Sequence, residues 1–166
     1  TAKNRLTLYG SPVSLNEAKS PTFLGIRQKD FCMNLHCNVS INYGEAGISI
    51  YMDENHHYDL LLKKVKQQYQ AQCSVRIGNI ETVVGKHKLS GISQATFLIE
   101  SDSQEYSFYI QQENEKILLG KGLTRYLSSE VAGGFTGVMI GLYAYSKKTQ
   151  NKAIFEHFSI HYQNEN

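Results

Sequence analysis

The residues that could do chemistry in this chain are carboxylates, histidines and one aromatic set among glycines. Acid–base work on a glycosidic bond takes two carboxylates held across a sugar ring, one of them kept protonated by its surroundings. The acids here fall in turn-like stretches, Asp53 and Glu54, Asp102 and Glu105, Glu113 and Glu115, where water solvates them and no pair stands out. Six histidines raise the question of a metal or a general base. The adjacent pair His56 and His57 precedes a strand-like run, and consecutive strand residues point to opposite faces, so the two rings do not readily share one metal. Hydrogen-bonded structural histidines are the expectation. His36 falls on the polar face of a long strand, and His157 and His161 have neither an HExxH nor a triad context. No GxSxG frame occurs, and Cys32, Cys37 and Cys73 fit no CxxC or Cys/His metal spacing. The residues by themselves predict no catalytic group, no metal and no cofactor.

The segment that asks for an explanation is Gly133-Gly134-Phe135-Thr136-Gly137. Glycine on both sides permits positive φ and close approach by another backbone. An aromatic held there either projects outward, where its ring can pack on the C–H face of a sugar, or turns inward as core.

Such a loop needs a scaffold, and composition describes one. At 166 residues the chain is one domain long, and it needs no disulfide or metal staple. Eleven Tyr and seven Phe supply all the aromatics, Pro is scarce, and Gly punctuates candidate strands, which favours an all-β fold. The run Phe31 to Ile41 alternates apolar and polar residues and predicts a long half-buried strand; a helical template would put Asn34, Asn38 and Asn42 on the apolar stripe. Further strands are expected over 5–9, 46–52, 58–62, 72–77, 81–84, 95–100, 106–111 and 154–162, with turns at Asp53-Glu54-Asn55, Gly78-Asn79 and Ser101 to Gln104. Val138 to Tyr145 is apolar on both alternating faces and should lie centrally, covered on both sides. Val65 to Tyr69 carries the one helical hint. Cys37 and Cys73 share the inward phase of their strands.

Charge narrows the partners. The formal net charge is +2, and the densest basic run, Lys63-Lys64-Val65-Lys66, extends into no basic face, so it reads as a strand end or turn and nucleic acid is not an expected partner. No apolar run reaches the length of a membrane span, and Thr1 to Arg5 does not read as a secretory signal, so a cytoplasmic setting is the expectation, although a chain cut from a longer one would hide such a signal.

Five stretches, in order, resemble the C-terminal domain of family 43 glycoside hydrolases, in the β-xylosidase branch. They are Leu6-Thr7-Leu8-Tyr9-Gly10, Phe23-Leu24-Gly25-Ile26-Arg27-Gln28, Glu45 to Tyr51, Asn55 to Leu60, and Leu127 to Ala144 with its glycine-rich loop and Gly141-Leu142-Tyr143-Ala144. The resemblance implies a single concanavalin A-like, jelly-roll β-sandwich over residues 1–166, joined in a longer polypeptide to an N-terminal catalytic β-propeller that holds the carboxylates of an inverting exo-xylosidase. It implies that the loop reaches over the propeller's pocket, that Phe135 stands at the edge of a xylo-oligosaccharide or arabinoside site, and that Arg27 and Gln28 lie near the domain junction. A role in a homo-oligomer interface is compatible with it. The family pattern often has a Trp near Lys116 to Leu118, and this chain has none, which leaves the packing of that hairpin open.

Two functions are then in play. One is the non-catalytic accessory domain of a β-xylosidase or α-L-arabinofuranosidase in xylan degradation. The other is a free-standing lectin-like carbohydrate-binding module, which should show exposed Trp or Tyr in a row on a concave sheet face; the absence of Trp tilts the reading toward the first.

Overall fold

In the computed structural model, which describes residues 4–133, 137–148 and 151–163, alternation becomes two layers. The strands are β1 (Arg5–Tyr9), β2 (Thr22–Arg27), β3 (Met33–Ile41), β4 (Glu45–Asp53), β5 (His56–Val65), β6 (Gln68–Ile77), β7 (Ile80–Leu89), β8 (Gln94–Ser101), β9 (Glu105–Gln112), β10 (Glu115–Leu123), β11 (Met139–Tyr145) and β12 (Lys152–Tyr162). They form two six-stranded sheets, one ordered β1-β12-β3-β8-β9-β10 and the other β2-β11-β4-β5-β6-β7. All ladder pairings are antiparallel, for example Cys37 opposite Phe97 and Leu60 opposite Cys73.

The core lies between the sheets because each strand sends every second side chain there. β3 contributes Met33, Leu35, Cys37, Val39 and Ile41, and β5 contributes Tyr58, Leu60 and Leu62. Tyr58, Tyr106 and Phe108 meet with ring centroids 6.0 to 6.4 Å apart. A buried phenol needs a partner. The Tyr58 hydroxyl donates to the Leu123 carbonyl at 2.7 Å, and the Tyr106 hydroxyl donates to Gln28 Oε1 at 2.7 Å.

β11 is covered on both faces, as expected, with Ile140, Leu142 and Ala144 inward and Tyr143 buried on the outer side. What covers that outer side is the connection between β1 and β2. Leu15 is buried against Leu61 and Tyr143 and beside Phe23, Tyr51 and Tyr145, so residues 11–20 cross the outer face of the second sheet as a strap. The Leu15 backbone also approaches the Tyr143 hydroxyl.

Three expectations need correction. Phe31 does not begin β3: it precedes the strand and is 54% exposed, with its carbonyl held by the Ser101 hydroxyl at 2.6 Å. Val65 to Tyr69 is a hairpin, not a helix, because Lys66 takes a left-handed φ of 58° at the turn between β5 and β6. β2 and β10 are strands that the alternation missed. β2 is an edge strand with Gly25 in its middle, and β10 has a register shift between Leu118 and Gly120, so each interrupts the period of two.

Candidate functional site

The glycine-rich loop leaves from, and returns to, one end of the sandwich. Gly133 closes the short helix Ser129–Ala132 (α1): its φ of 74° and ψ of 29° are left-handed, and its N–H donates to the Ser129 carbonyl at 3.0 Å. That conformation favours glycine at a helix terminus. Gly137 stands at the return, where a Cβ would lie 2.6 Å from Arg27 Nη1, so the Arg27 guanidinium packs over it. Gly134, Phe135 and Thr136 lie outside the described residues.

Gln28 ties this end together. Its backbone N–H donates to the Val138 carbonyl at 2.9 Å, its Oε1 accepts from Tyr106, and its Nε2 donates to the Asp30 carbonyl at 2.9 Å. Backbone and side chain of this one residue thus link the end of β2 to the approach to β11 and to β9 of the opposite sheet. Arg27, by contrast, is exposed. Arg27 and Gln28, expected from the resemblance near a domain junction, both meet the segment that returns from the loop.

A cleft of about 700 Å³ opens beside them, lined among others by Gln28, Phe31, Met52, Arg125, Ser129 and Gly137. Among its described lining residues Asp30 is the one carboxylate. A lone acid cannot supply the two roles that glycoside hydrolysis divides between a pair. Its described lining has aromatic, guanidinium and hydroxyl groups for contact and no second carboxylate.

The other sequence candidates take structural places. Asp53 accepts from the Asn55 N–H and from His56 Nδ1, each at 2.8 Å. Asp102 accepts from the backbone N–H groups of Gln104 and Glu105 at 2.7 and 3.0 Å, and these bonds hold its carboxyl below the usual range. His36 pairs with the His157 carbonyl and His87 with Gln112. Lys63 of the basic run bridges to Glu45 at 2.9 Å, and Lys64 sits over the Tyr69 ring. Among the described residues no lectin-like row of exposed aromatics forms on the outer face of the second sheet, because Phe23, Tyr51 and Tyr143 lie in the cluster under the strap.

Sequence reasoning missed Asp59. It is 5% exposed, accepts from the Ser49 hydroxyl at 2.6 Å, and faces His57 Nδ1 at 2.8 Å. The spacing His57-x-Asp59 puts both on one face of a strand, a signal that was available.

Two antiparallel six-stranded sheets packed in this order are a concanavalin A-like sandwich. Residues 1–161 match the family described as the beta xylosidase C-terminal concanavalin A-like domain, and the chain belongs to that family. It is similar to the non-reducing end alpha-L-arabinofuranosidase BoGH43B of Bacteroides ovatus, 31% identical over 93% of this chain and 30% of that protein. A xylosidase/arabinosidase of Butyrivibrio fibrisolvens is 28% identical over 93% of this chain and 31% of its own length. Among solved structures, that of Bacteroides ovatus xyloglucan PUL GH43B superposes with a TM-score of 0.88 at 29% identity, covering 96% of this chain and 33% of that one. The xylan beta-1,4-xylosidase of Bacillus halodurans shares the fold with a TM-score of 0.83 at 20% identity, over 94% of this chain and 32% of its own. The chain therefore spans about a third of the length of these relatives.

Proposed function

We propose that this chain is the non-catalytic accessory domain of a β-xylosidase or α-L-arabinofuranosidase. In this reading an N-terminal propeller of the same polypeptide carries the acid and base. The glycine-loop end of the sandwich docks on it, and Phe135 closes the edge of its substrate pocket. The observation that carries the reading is the bracing of the loop: Gly133 is set by a helix terminus and Gly137 by the Arg27 guanidinium, both at the end of the sandwich where a contact cleft opens. The lengths of the relatives, each about three times this chain, support a missing catalytic partner.

The test compares the chain alone with the chain joined to its upstream catalytic region, using nitrophenyl xyloside and nitrophenyl arabinofuranoside. The chain alone is expected to turn over neither. Phe135→Ala in the joined protein is expected to lower kcat/KM about tenfold to a hundredfold, a loss of about 1–3 kcal/mol, through lost ring contact and admitted water. Its effect on the melting of the isolated domain should be small. A core role would instead cost about 3–5 kcal/mol of stability. Normal kinetics with a large drop in melting temperature would overturn the pocket reading.

A further inference from the structure

A second cavity, of about 310 Å³, lies on the outer face of the second sheet. Strand register builds its floor. Tyr143, Gly47, Leu61 and Gln72 stand in one row across β11, β4, β5 and β6, and Gly141, Ser49, Asp59 and Ser74 stand in the next. The strap residues Ser14, Leu15 and Asn16 close one side, and Glu81, Thr82 and Val83 close the other.

Every charged group in this cavity already has a partner. Glu45 and Lys63 pair at 2.9 Å. Asp59 holds Ser49 and His57, and His57 Nε2 in turn faces Asn16 Oδ1 at 2.9 Å. Glu81 accepts from Asn16 Nδ2 at 2.8 Å and from Arg76. What remains is neutral. Gln72 and Ser74, two residues apart on β6 and so on one face, are 8% and 7% exposed and line the cavity, and no side-chain hydrogen bond within the described structure satisfies either. Their polar atoms are not sealed from solvent but open on the cavity, where water or a ligand can meet them.

We propose that this cavity binds a single neutral sugar ring. The Gln72 amide offers two donors and one acceptor and the Ser74 hydroxyl offers both, which matches adjacent ring hydroxyls that each donate and accept. Leu15, Leu61, Val83 and Tyr143 supply apolar contact for the C–H face. The charges are mutually neutralised, so an ionic ligand would meet no unpaired counter-charge. The volume equals that of about ten waters in the liquid, enough for one ring and too little for a chain. The site is independent of the loop end and shares none of its residues.

Amide chemical shifts of the 166-residue chain, followed while D-xylose, L-arabinose or D-galactose is added, test the proposal. Saturating shifts are expected at Asn16, Gln72, Ser74 and Thr82, with a Kd of about 1–10 mM for the best sugar. Gln72→Leu and Ser74→Ala should each weaken binding about tenfold with little change in melting temperature, the effect of one lost hydrogen bond. If Gln72→Leu proves unstable, Ser74→Ala alone carries the test. Xylobiose binding as tightly as xylose identifies a chain-terminal ring, and its exclusion identifies a free monosaccharide. Absence of saturation with all three sugars, equal shifts from the open-chain polyol sorbitol, or shifts confined to the Gly133 and Gly137 end would overturn it. The last result would leave the loop reading intact, while loss of the Phe135 effect would leave this one intact.

Discussion

Gln28 shows how one side chain can serve both stability and site. Its Oε1 is the acceptor for Tyr106, a core phenol with no exposed surface. Gln28→Leu strands that hydroxyl and should cost about 1–3 kcal/mol, the price of a buried donor without a partner. Tyr106→Phe in the same chain should recover much of the loss, because it removes the orphaned group. Melting the two single variants and the double variant measures the coupling, and strict additivity would show that the bond contributes nothing. The thiols make a second residue-scale case. Burial pushes Cys37 and Cys73 up to about 12, and the thiolate is the reactive form. Both should resist a maleimide at pH 8 in the native protein and react on denaturation; fast native labelling of both would place them on the wrong strand faces.

At the scale of elements, the edge strands β7 and β10 of the two sheets meet closely. A Cβ at Gly85 would lie 1.8 Å from the Leu119 carbonyl oxygen, which is backbone and cannot rotate away. Gly85→Ala should therefore push β10 off β7 and cost upward of about 2 kcal/mol, against a few tenths at most for an exposed strand position. Denaturant unfolding of the variant measures it, and an unchanged midpoint would mean that the edges do not pack as closely as drawn. The same meeting of edges explains why β10 escaped the alternation pattern: its bulge at Leu118 and Gly120 turns Leu119 inward, so neither face of the strand reads as continuous. It also shows how the hairpin near Lys116 packs without the Trp that the resemblance led one to expect there. Lys116 lies over the Tyr109 ring at 4.4 Å and reaches Glu100 at 2.5 Å, while Ile117 packs on the core.

For the molecule as a whole, the buried ionisable groups set an alkaline limit. Cys37 and Cys73 rise from 9.0 to about 12 and Tyr106 rises from 10.0 to about 12, while Tyr58 and Tyr143 are raised as well, all chiefly by burial. Between these values the unfolded chain has released protons that the folded chain still holds. Stability from this source is thus full below about pH 9 and declines as pH climbs toward 12. Melting temperature should be flat with respect to these groups from pH 7 to 9 and fall steeply above about pH 10. Cys37→Ala and Cys73→Ala together should soften that fall, and an unaltered slope would remove the thiols from the account.

Much of this protein was legible before any fold was seen, because period-two alternation depends on local geometry alone. The strands from Met33 to Ile41 and from Met139 to Tyr145 and the inward phase of Cys37 and Cys73 follow from it, while the turns at Asp53 and Gly78 follow from turn-forming residue types and Gly133 announced a left-handed backbone. Alternation tells which residues share a face and says nothing about what covers that face. Tertiary structure decided that the strap carrying Leu15 lies over the outer side of the second sheet, burying polar residues that the sequence placed toward water. Asp59, Gln72 and Ser74 share a cavity because interstrand register aligns β5 with β6 beneath a segment more than forty residues upstream. Arg27 reaches Gly137 for the same reason, β2 and β11 being neighbours in the sheet although remote in the chain.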